Sequence, residues 1–230
     1  MSLTERNILI LKIIIEQFLE TWEVMWSKLL LSKYDLWVSP ATIRWDMAKL
    51  EKMHLIFQPY HSAWRLPTSK GIRAYVDYIM KETPSYFLNE ENIDLKDNIQ
   101  NFSDYVYNIT KSLSDTTWEI TFFSIPSKHM LSYSWIYHFI DKNKNKDIED
   151  SLKIINMIED KVRFMDFLKN LTLKDGINLF IWDENFLKDL KKYSIIIKPL
   201  IINNELAYIW IIWNLQQNYS FNIAAIKWII

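Results

Sequence analysis

The sequence predicts an α+β protein with a mostly antiparallel sheet. Three observations indicate this class. The first third of the chain places its apolar residues at helical spacing, and the last third carries short runs rich in β-branched and aromatic residues. Half of the 230 residues are hydrophobic and 24% are charged, which is typical of a folded globular chain of one to two domains.

The N-terminal region predicts three helices in close succession. A first helix, capped by Thr4, runs over about 4–21, and a short second helix follows over 27–34. Ser39 is a good N-cap and Pro40 suits the first helical position, so a third helix begins there. Because the connection before it is short, we expect a helix-turn-helix arrangement.

The next segments predict a hairpin, a helix and a connector. Residues 55–58 and 65–67 flank a short polar stretch and indicate a small hairpin, the wing of a winged helix. A helix over about 71–81 and a polar connector over 81–92 follow. An apolar stripe over 99–113 then predicts a helix that packs on a core, since a dimeric coiled-coil seam needs longer repetition.

The C-terminal region mixes strands and helices. A strand is predicted over 119–125 and one long amphipathic helix over 147–171, with Leu152, Val162 and Met165 on its apolar side. Further strands are predicted over 177–182, 195–200 and 206–213, with a closing helix over 222–230. The chain therefore divides into a domain over 1–80, a linker and connecting helix over 81–113, and a domain over 114–230.

Charge is uneven along the chain although the net charge is only −1. Residues 39–73 hold six Lys or Arg against Asp46 and Glu51, a net of +4. This basic segment is a candidate phosphate-contacting surface, and a plain solvated helix face is the alternative.

The chain has no cysteine, which excludes disulfides and cysteine zinc sites and fits the cytoplasm. No apolar run reaches 18 residues, so we expect no membrane span.

Catalytic and metal-binding patterns are missing from the sequence. Its four histidines do not stand at metal-ligand spacing, and two glycines cannot form a Gly-rich phosphate loop. Serine contexts typical of nucleophilic catalysis are also missing. We therefore expect neither an enzyme, nor a cofactor, nor a metal site.

The helix-turn-helix segment carries a specific resemblance. Ser-Pro-Ala-Thr-Ile-Arg-Trp-Asp-Met at 39–47, with 50–51 and 58–68, resembles the heat-inducible transcription repressor family HrcA. The resemblance extends to further segments at 3–6, 27–28, 70–77, 176–185, 209–213, 218–219 and 223–226.

The resemblance implies a repressor of chaperone operons that binds an inverted-repeat operator, the CIRCE element, with help from a GroE-type chaperonin. The family joins a winged helix to a GAF-like domain that carries an inserted dimerisation domain. Here the strand at 119–125 runs almost directly into Tyr133-Ser134-Trp135, which resembles a segment after that insert. We therefore expect a reduced GAF-like domain, and a homodimer only through another surface. The alternative is a protein-interaction remnant that contacts chaperonin without specific operator binding.

The resemblance also implies that the third helix lies in the major groove and that the wing reaches the neighbouring backbone. The residues expected to contact DNA are Ser39, Thr42, Arg44, Lys49, His61, Ser62 and Arg65. Three alternatives stay open. Thr42 could only stabilise the helix start, Arg44 could pair with Asp46, Glu51 or another acid, and His61 could be plain surface.

Two glycines against eleven tryptophans is an unusual ratio. Tryptophan stands where the family pattern has glycine at Trp22, Trp26, Trp37, Trp64, Trp182, Trp210 and Trp213, and we expect Trp135 to belong with them. Trp45, Trp118 and Trp228 stay unassigned. Some bacterial genetic codes read UGA as tryptophan and others read it as glycine, so we expect UGA codons at these positions. A genuine Trp-rich relative with altered loops is the alternative.

Overall fold

The structure is a computed structural model that divides the chain into two compact units. It describes residues 3–21, 25–26, 38–59, 64–83, 99–143, 148–181, 184–185, 193–214 and 218–228. The first unit comprises Met1–Thr83 with Gln216–Ser220, and the second comprises Pro84–Leu215 with Phe221–Ile230. Both combine helices with antiparallel strands, which confirms the predicted α+β class.

The first unit combines helices with a small antiparallel sheet. Its elements are α1 (Glu5–Thr21), β1 (Met25–Trp26), α2 (Pro40–Lys52), β2 (Ile56–Phe57), β3 (Trp64–Pro67) and α3 (Ser69–Glu82). The strand order is β1-β3-β2, so β3 pairs on both sides. Strand β1 was not predicted from the sequence. The predicted short helix over 27–34 lies outside the described residues, as do residues 60–63 of the predicted wing.

The core of the first unit is formed where its described helices meet. Fully buried aliphatic residues come from α1, α2 and α3, namely Ile10, Ile14, Ile43, Leu50, Ile72 and Val76. At the start of α3 the backbones approach so closely that a Cβ on Gly71 would lie 2.0 Å from the carbonyl oxygen of Leu55. Only glycine fits at this position, because any side chain would collide with that backbone atom.

The second unit is built on a five-stranded antiparallel sheet. Its elements are α4 (Ile99–Thr117), β4 (Ile120–Ile125), a short 3₁₀ turn (Pro126–Lys128), β5 (Met130–Ser134), α5 (Ile136–Asn143), α6 (Ile148–Glu159), α7 (Lys161–Lys169), β6 (Asn178–Ile181), β7 (Tyr193–Ile202), β8 (Glu205–Asn214) and α8 (Tyr219–Trp228). The strand order is β5-β4-β8-β7-β6, with every neighbouring pair antiparallel.

Both faces of the central strands are buried. On one face Phe122 stacks on Trp210 with ring centroids 4.2 Å apart, and Phe139, Ile154 and Phe164 from helices α5, α6 and α7 complete the cluster. Helix α4 packs on β4 and β5. The apolar stripe of α4 thus faces a sheet, as the core-packing interpretation predicted.

The single helix predicted over 147–171 is wrong, because the structure has two helices that break at Asp160, whose ψ of 51° is not helical. Leu152 and Val162, assigned to one apolar face, are 51% and 61% exposed. The break lets α7 bury Phe164 and its neighbours in the core, so tertiary packing overrides the helical periodicity.

Other differences concern missed elements and boundaries. Strand β5 and helix α5 were not predicted, and the closing helix begins at Tyr219 rather than Asn222. Strand β5 has the sequence Met-Leu-Ser-Tyr-Ser, which contains no β-branched residue and gives little strand signal.

Candidate nucleic-acid interface

The start of helix α2 is a capped N-terminus at the surface. Ser39 has extended backbone, and its Oγ accepts the N–H of Thr42 at 3.2 Å. The two hydroxyls lie 2.9 Å apart, so Thr42 takes part in the cap, as its alternative role predicted. Pro40 occupies the first turn, where its missing N–H costs nothing. Both predicted contact residues therefore sit at the exposed start of this helix.

Helix α2 has one buried face and one exposed face. Ile43, Met47 and Leu50 are buried against the core. The exposed face carries Ala41, Arg44, Trp45, Ala48 and Lys52, spaced along one side of the helix. Arg44 makes no ion pair among the described residues, since Asp46 pairs with Arg6 and Glu51 pairs with Arg65.

Trp45 is an exposed side chain that the sequence reasoning did not assign to the site. It is 65% exposed at the middle of α2. The same helical spacing that buries Ile43, Met47 and Leu50 places Trp45 on the opposite side, so the periodicity already contained this signal.

Lys49 lies beside a buried polar cluster rather than on the outermost face. Its Nζ donates to Oδ1 of Asn7 at 2.9 Å, and the side chain is half-buried. Asn7 in turn donates through Nδ2 to Asp46 at 2.8 Å. The structure thus ties Lys49 to helix α1.

The segment predicted to be a wing is described only in part. Arg65 on β3 pairs with Glu51 at 3.2 Å, and its side chain is only 15% exposed. His61 and Ser62 lie outside the described residues. Of the seven residues predicted to contact DNA, the structure brings Ser39, Thr42, Arg44 and Lys49 together on one helix.

The charges around α2 favour an anionic partner. The hydrogen bond to Asp46, followed by their Coulombic attraction, raises the pKa of Arg6 above its ordinary value. Both acidic groups of α2, Asp46 and Glu51, pair with arginines, and neither Arg44 nor Lys52 makes an ion pair within the described residues.

Within the described ranges, no group of three or more histidine, aspartate or glutamate side chains could hold a metal ion. No helix in the described part of the chain is long and apolar enough to cross a membrane.

Comparison with known protein families identifies the chain. The family described as "HrcA protein C terminal domain" matches residues 74–220, more than half of the chain. The chain belongs to the HrcA family.

Named relatives agree with this family. A protein named heat-inducible transcription repressor HrcA from Clostridioides difficile is 30% identical over 220 residues, which is 87% of this chain and 64% of that protein. One with the same name from Alkaliphilus metalliredigens is 45% identical over 93 residues, which is 40% of this chain and 27% of that protein. The chain thus spans less than two thirds of these relatives' own lengths.

A solved structure shows the same fold. A crystal structure of a hypothetical protein at 2.2 Å resolution superposes with a TM-score of 0.69, covering 99% of this chain and 96% of that one at 17% identity. At that identity the similarity concerns the fold alone.

Proposed function

We propose that the chain is a cytoplasmic, DNA-binding transcriptional repressor of chaperone operons. In this proposal the first unit is a winged helix that reads an inverted-repeat operator, and the second is a reduced GAF-like domain. Membership of the HrcA family supports the proposal, since the relatives are named heat-inducible transcription repressors.

The observation that carries the proposal is the exposed face of α2. An α-helix with its side chains is about 10–12 Å wide, and the major groove of B-DNA is about 12 Å wide. With Ile43, Met47 and Leu50 buried, the opposite face is free to enter the groove. Arg44, which has no ion pair within the described ranges, then donates to a guanine edge or to a phosphate.

The capped start of α2 supports a phosphate contact. The first N–H groups of a helix lack partners inside the helix, and they favour anions. Ser39 and Thr42 lie there with their hydroxyls exposed or half-exposed. We assign these two residues to the operator backbone, where contacts fix register and carry no sequence information directly.

The remaining residues predicted to contact DNA differ in whether they already have a partner within the protein. His61, Ser62 and Arg65 are assigned to the wing, but Arg65 must exchange Glu51 for a phosphate to reach DNA. Lys49 must likewise leave Asn7. We therefore expect Arg44 to contribute more to operator affinity than either of these two side chains.

An inverted repeat also implies two copies of the reading helix. Two half-sites one helical turn apart, or a multiple, require a dimer. We propose a homodimer on DNA and a GroE-type chaperonin as the partner that maintains the active repressor. Sedimentation of the protein with one-half-site and two-half-site duplexes tests the dimer, since only the longer duplex should bind two copies.

A titration of labelled duplex DNA tests operator binding. The probes are the CIRCE inverted repeat and a scrambled duplex of equal length, each measured at several salt concentrations. We expect sequence-specific affinity that falls steeply with salt. Arg44→Ala should weaken operator binding by about tenfold or more, since one good base contact contributes about 1–3 kcal/mol. Arg163→Ala, an exposed arginine of α7, serves as the control and should change little.

One observation favours the second candidate, a protein-interaction remnant. Thr42, Lys49 and Arg65 are each engaged within the first unit, which lowers the number of side chains free for DNA. Equal affinity for both duplexes, or no binding at all, would reject the repressor and favour the remnant.

A further inference from the structure

We infer that Asp46 is a positioning residue that fixes how helix α2 is rotated about its axis, and so which side chains it presents to DNA. This inference rests on the proposed function. The observation behind it is a hydrogen-bonded cluster, called here the Asp46 cluster, which comprises Arg6, Asn7, Asp46 and Lys49.

Both carboxylate oxygens of Asp46 are held by helix α1. Arg6 donates through Nε to Oδ2 at 2.6 Å and through a terminal nitrogen to Oδ1 at 3.4 Å. Asn7 donates through Nδ2 to Oδ1 at 2.8 Å. The Asp46 side chain is 1% exposed, so water does not satisfy it. Hydrogen bonds on both oxygens leave the carboxylate a narrow range of orientations.

Asn7 links two successive turns of α2 to the same point on α1. It is fully buried, and its Oδ1 accepts from Lys49 while its Nδ2 donates to Asp46. Asn7 is itself fixed, because its backbone N–H donates to Thr4 Oγ1 and its Oδ1 accepts the Thr4 N–H, both at 3.2 Å. The Asp46 cluster therefore anchors α2 at residues 46 and 49.

Apolar packing alone would not fix this rotation as tightly. Ile43, Met47 and Leu50 bury one side of α2, but an apolar face tolerates small rotations by repacking. Burying a carboxylate is costly, and replacing buried ion pairs by apolar residues is often neutral for stability. The role that remains for Asp46 is orientation, which sets the direction of Arg44 and Trp45 on the exposed face.

Binding to two duplexes separates positioning from general stability. Asp46→Asn keeps the shape, but its NH₂ group cannot accept from one of the two donors, Arg6 or Asn7. We expect the ratio of affinities for the CIRCE and scrambled duplexes to fall about tenfold, while affinity for the scrambled duplex changes less than twofold. Asp77→Asn on α3 removes an equal charge from an exposed i,i+4 pair, so it is the matched control and should leave the ratio unchanged.

A second variant keeps the test decisive if Asp46→Asn does not fold. Arg6→Lys retains the positive charge at a partly exposed site but loses the planar pair of donors, and we expect a smaller fall in the ratio. An unchanged ratio in a folded variant would overturn the positioning role. If the unaltered protein binds both duplexes equally, the proposed function fails instead, so the two failures are distinguishable.

The backbone carries a second, independent inference. We infer that the native residue is glycine at positions 118 and 135. Trp118 has φ +60° and Trp135 has φ +70°, a left-handed region in which a bulky side chain is a genuine outlier. Trp118 directly follows α4 and donates its N–H to the Ser114 carbonyl at 2.8 Å, the helix-ending position that glycine usually occupies.

Side-chain contacts do not explain these two conformations. Trp118 is 68% exposed, so the burial of its side chain does little to offset the cost of its positive φ. The Trp135 ring contacts Trp118 edge-on at 5.3 Å and donates through Nε1 to Asp115 at 2.8 Å. The two indole rings thus contact each other. Position 135 was already expected to be glycine, and the backbone adds position 118, which the sequence left unassigned.

Tryptic peptides of the protein purified from its natural source test this inference directly. Cleavage at lysines yields one peptide over 112–128 and another over 129–142, each with a single tryptophan in the printed sequence. We expect both peptides to be lighter by the difference between a tryptophan and a glycine residue. Tryptophan in either peptide would overturn the inference at that position.

Discussion

Both units of the molecule have apolar interiors, but the contacts described in each add a different kind of anchor. The first unit buries a charged group, Asp46, between Arg6 and Asn7. The second holds its sheet by apolar contact, with Phe122 stacked on Trp210. Hydrogen bonds to a buried charge demand fixed geometry, whereas apolar packing tolerates substitution when volume is kept. The Asp46 cluster therefore demands fixed geometry in the first unit, whereas the stack of Phe122 on Trp210 demands less of it in the second.

Trp210 illustrates the tolerance of the second unit. Its side chain is fully buried, and its Nε1 has no acceptor among the described residues. A buried indole N–H normally finds a partner. Position 210 is also one of the positions where the family pattern is expected to have glycine. Trp210 therefore gives no independent support for an aromatic ligand site.

The largest expected effect on stability comes from replacing the two glycines of the chain, one in each unit. Gly71→Ala in the first unit should lower the free energy of unfolding by about 3 kcal/mol, because its Cβ would collide with the Leu55 carbonyl. Gly176→Ala in the second should cost only about 1–2 kcal/mol, since φ is +78° but no atom lies within 4 Å. Hydrogen exchange measured peptide by peptide resolves the two units. Equal losses of unfolding free energy for the two variants would contradict the difference in space around the two glycines.

A pair of tryptophans gives effects of opposite sign. Trp118 and Trp45 are 68% and 65% exposed, but only Trp118 has positive φ. Trp118→Gly should raise the free energy of unfolding by up to about 1 kcal/mol by relieving the backbone. Trp45→Gly should lower it by about 1 kcal/mol, because glycine disfavours a helix interior. Urea denaturation checks both, and a loss of stability in Trp118→Gly would contradict the argument.

The predictable part of the fold is its local part. Ser39 and Pro40 predicted the start of α2, and the structure confirms it, because capping depends on residues three positions apart. The helical spacing of apolar residues in the first unit likewise predicted helices α1 and α3. The break at Asp160 was not predictable in this way, since it is set by packing against a distant sheet.

In the candidate site, too, local features could be predicted from the sequence and long-range contacts could not. Exposure of Arg44 follows from helical spacing. The partners of Lys49 and Arg65 cannot be predicted from helical spacing. Asn7 lies 42 positions from Lys49 in the sequence, and Glu51 lies on a different element from Arg65. The sequence suggested Asp46, Glu51 or another acid as the partner of Arg44, but in the fold Asp46 and Glu51 pair with other arginines.

The smallest expected effect is a pH dependence of the first unit. Tyr75 is buried on α3 and donates to Glu16 at 2.6 Å. Burial, followed by this hydrogen bond, raises the pKa of Tyr75 well above its ordinary value. The neutral phenol therefore stabilises the fold below about pH 10, and that stabilisation is lost as the pH rises from there towards the folded-state pKa.

Tyr75→Phe tests this dependence. At pH 8 the variant should lose about 1 kcal/mol, the net contribution of one hydrogen bond. Above about pH 10 the gap to the unaltered protein should narrow, because the unaltered protein must then keep a buried phenol neutral at increasing cost. Tyr78→Phe, more exposed on the same helix, is the matched control. A gap that stays constant to high pH would show that the phenol of Tyr75 ionises at the same pH in the folded and the unfolded protein, which would contradict the raised pKa of Tyr75.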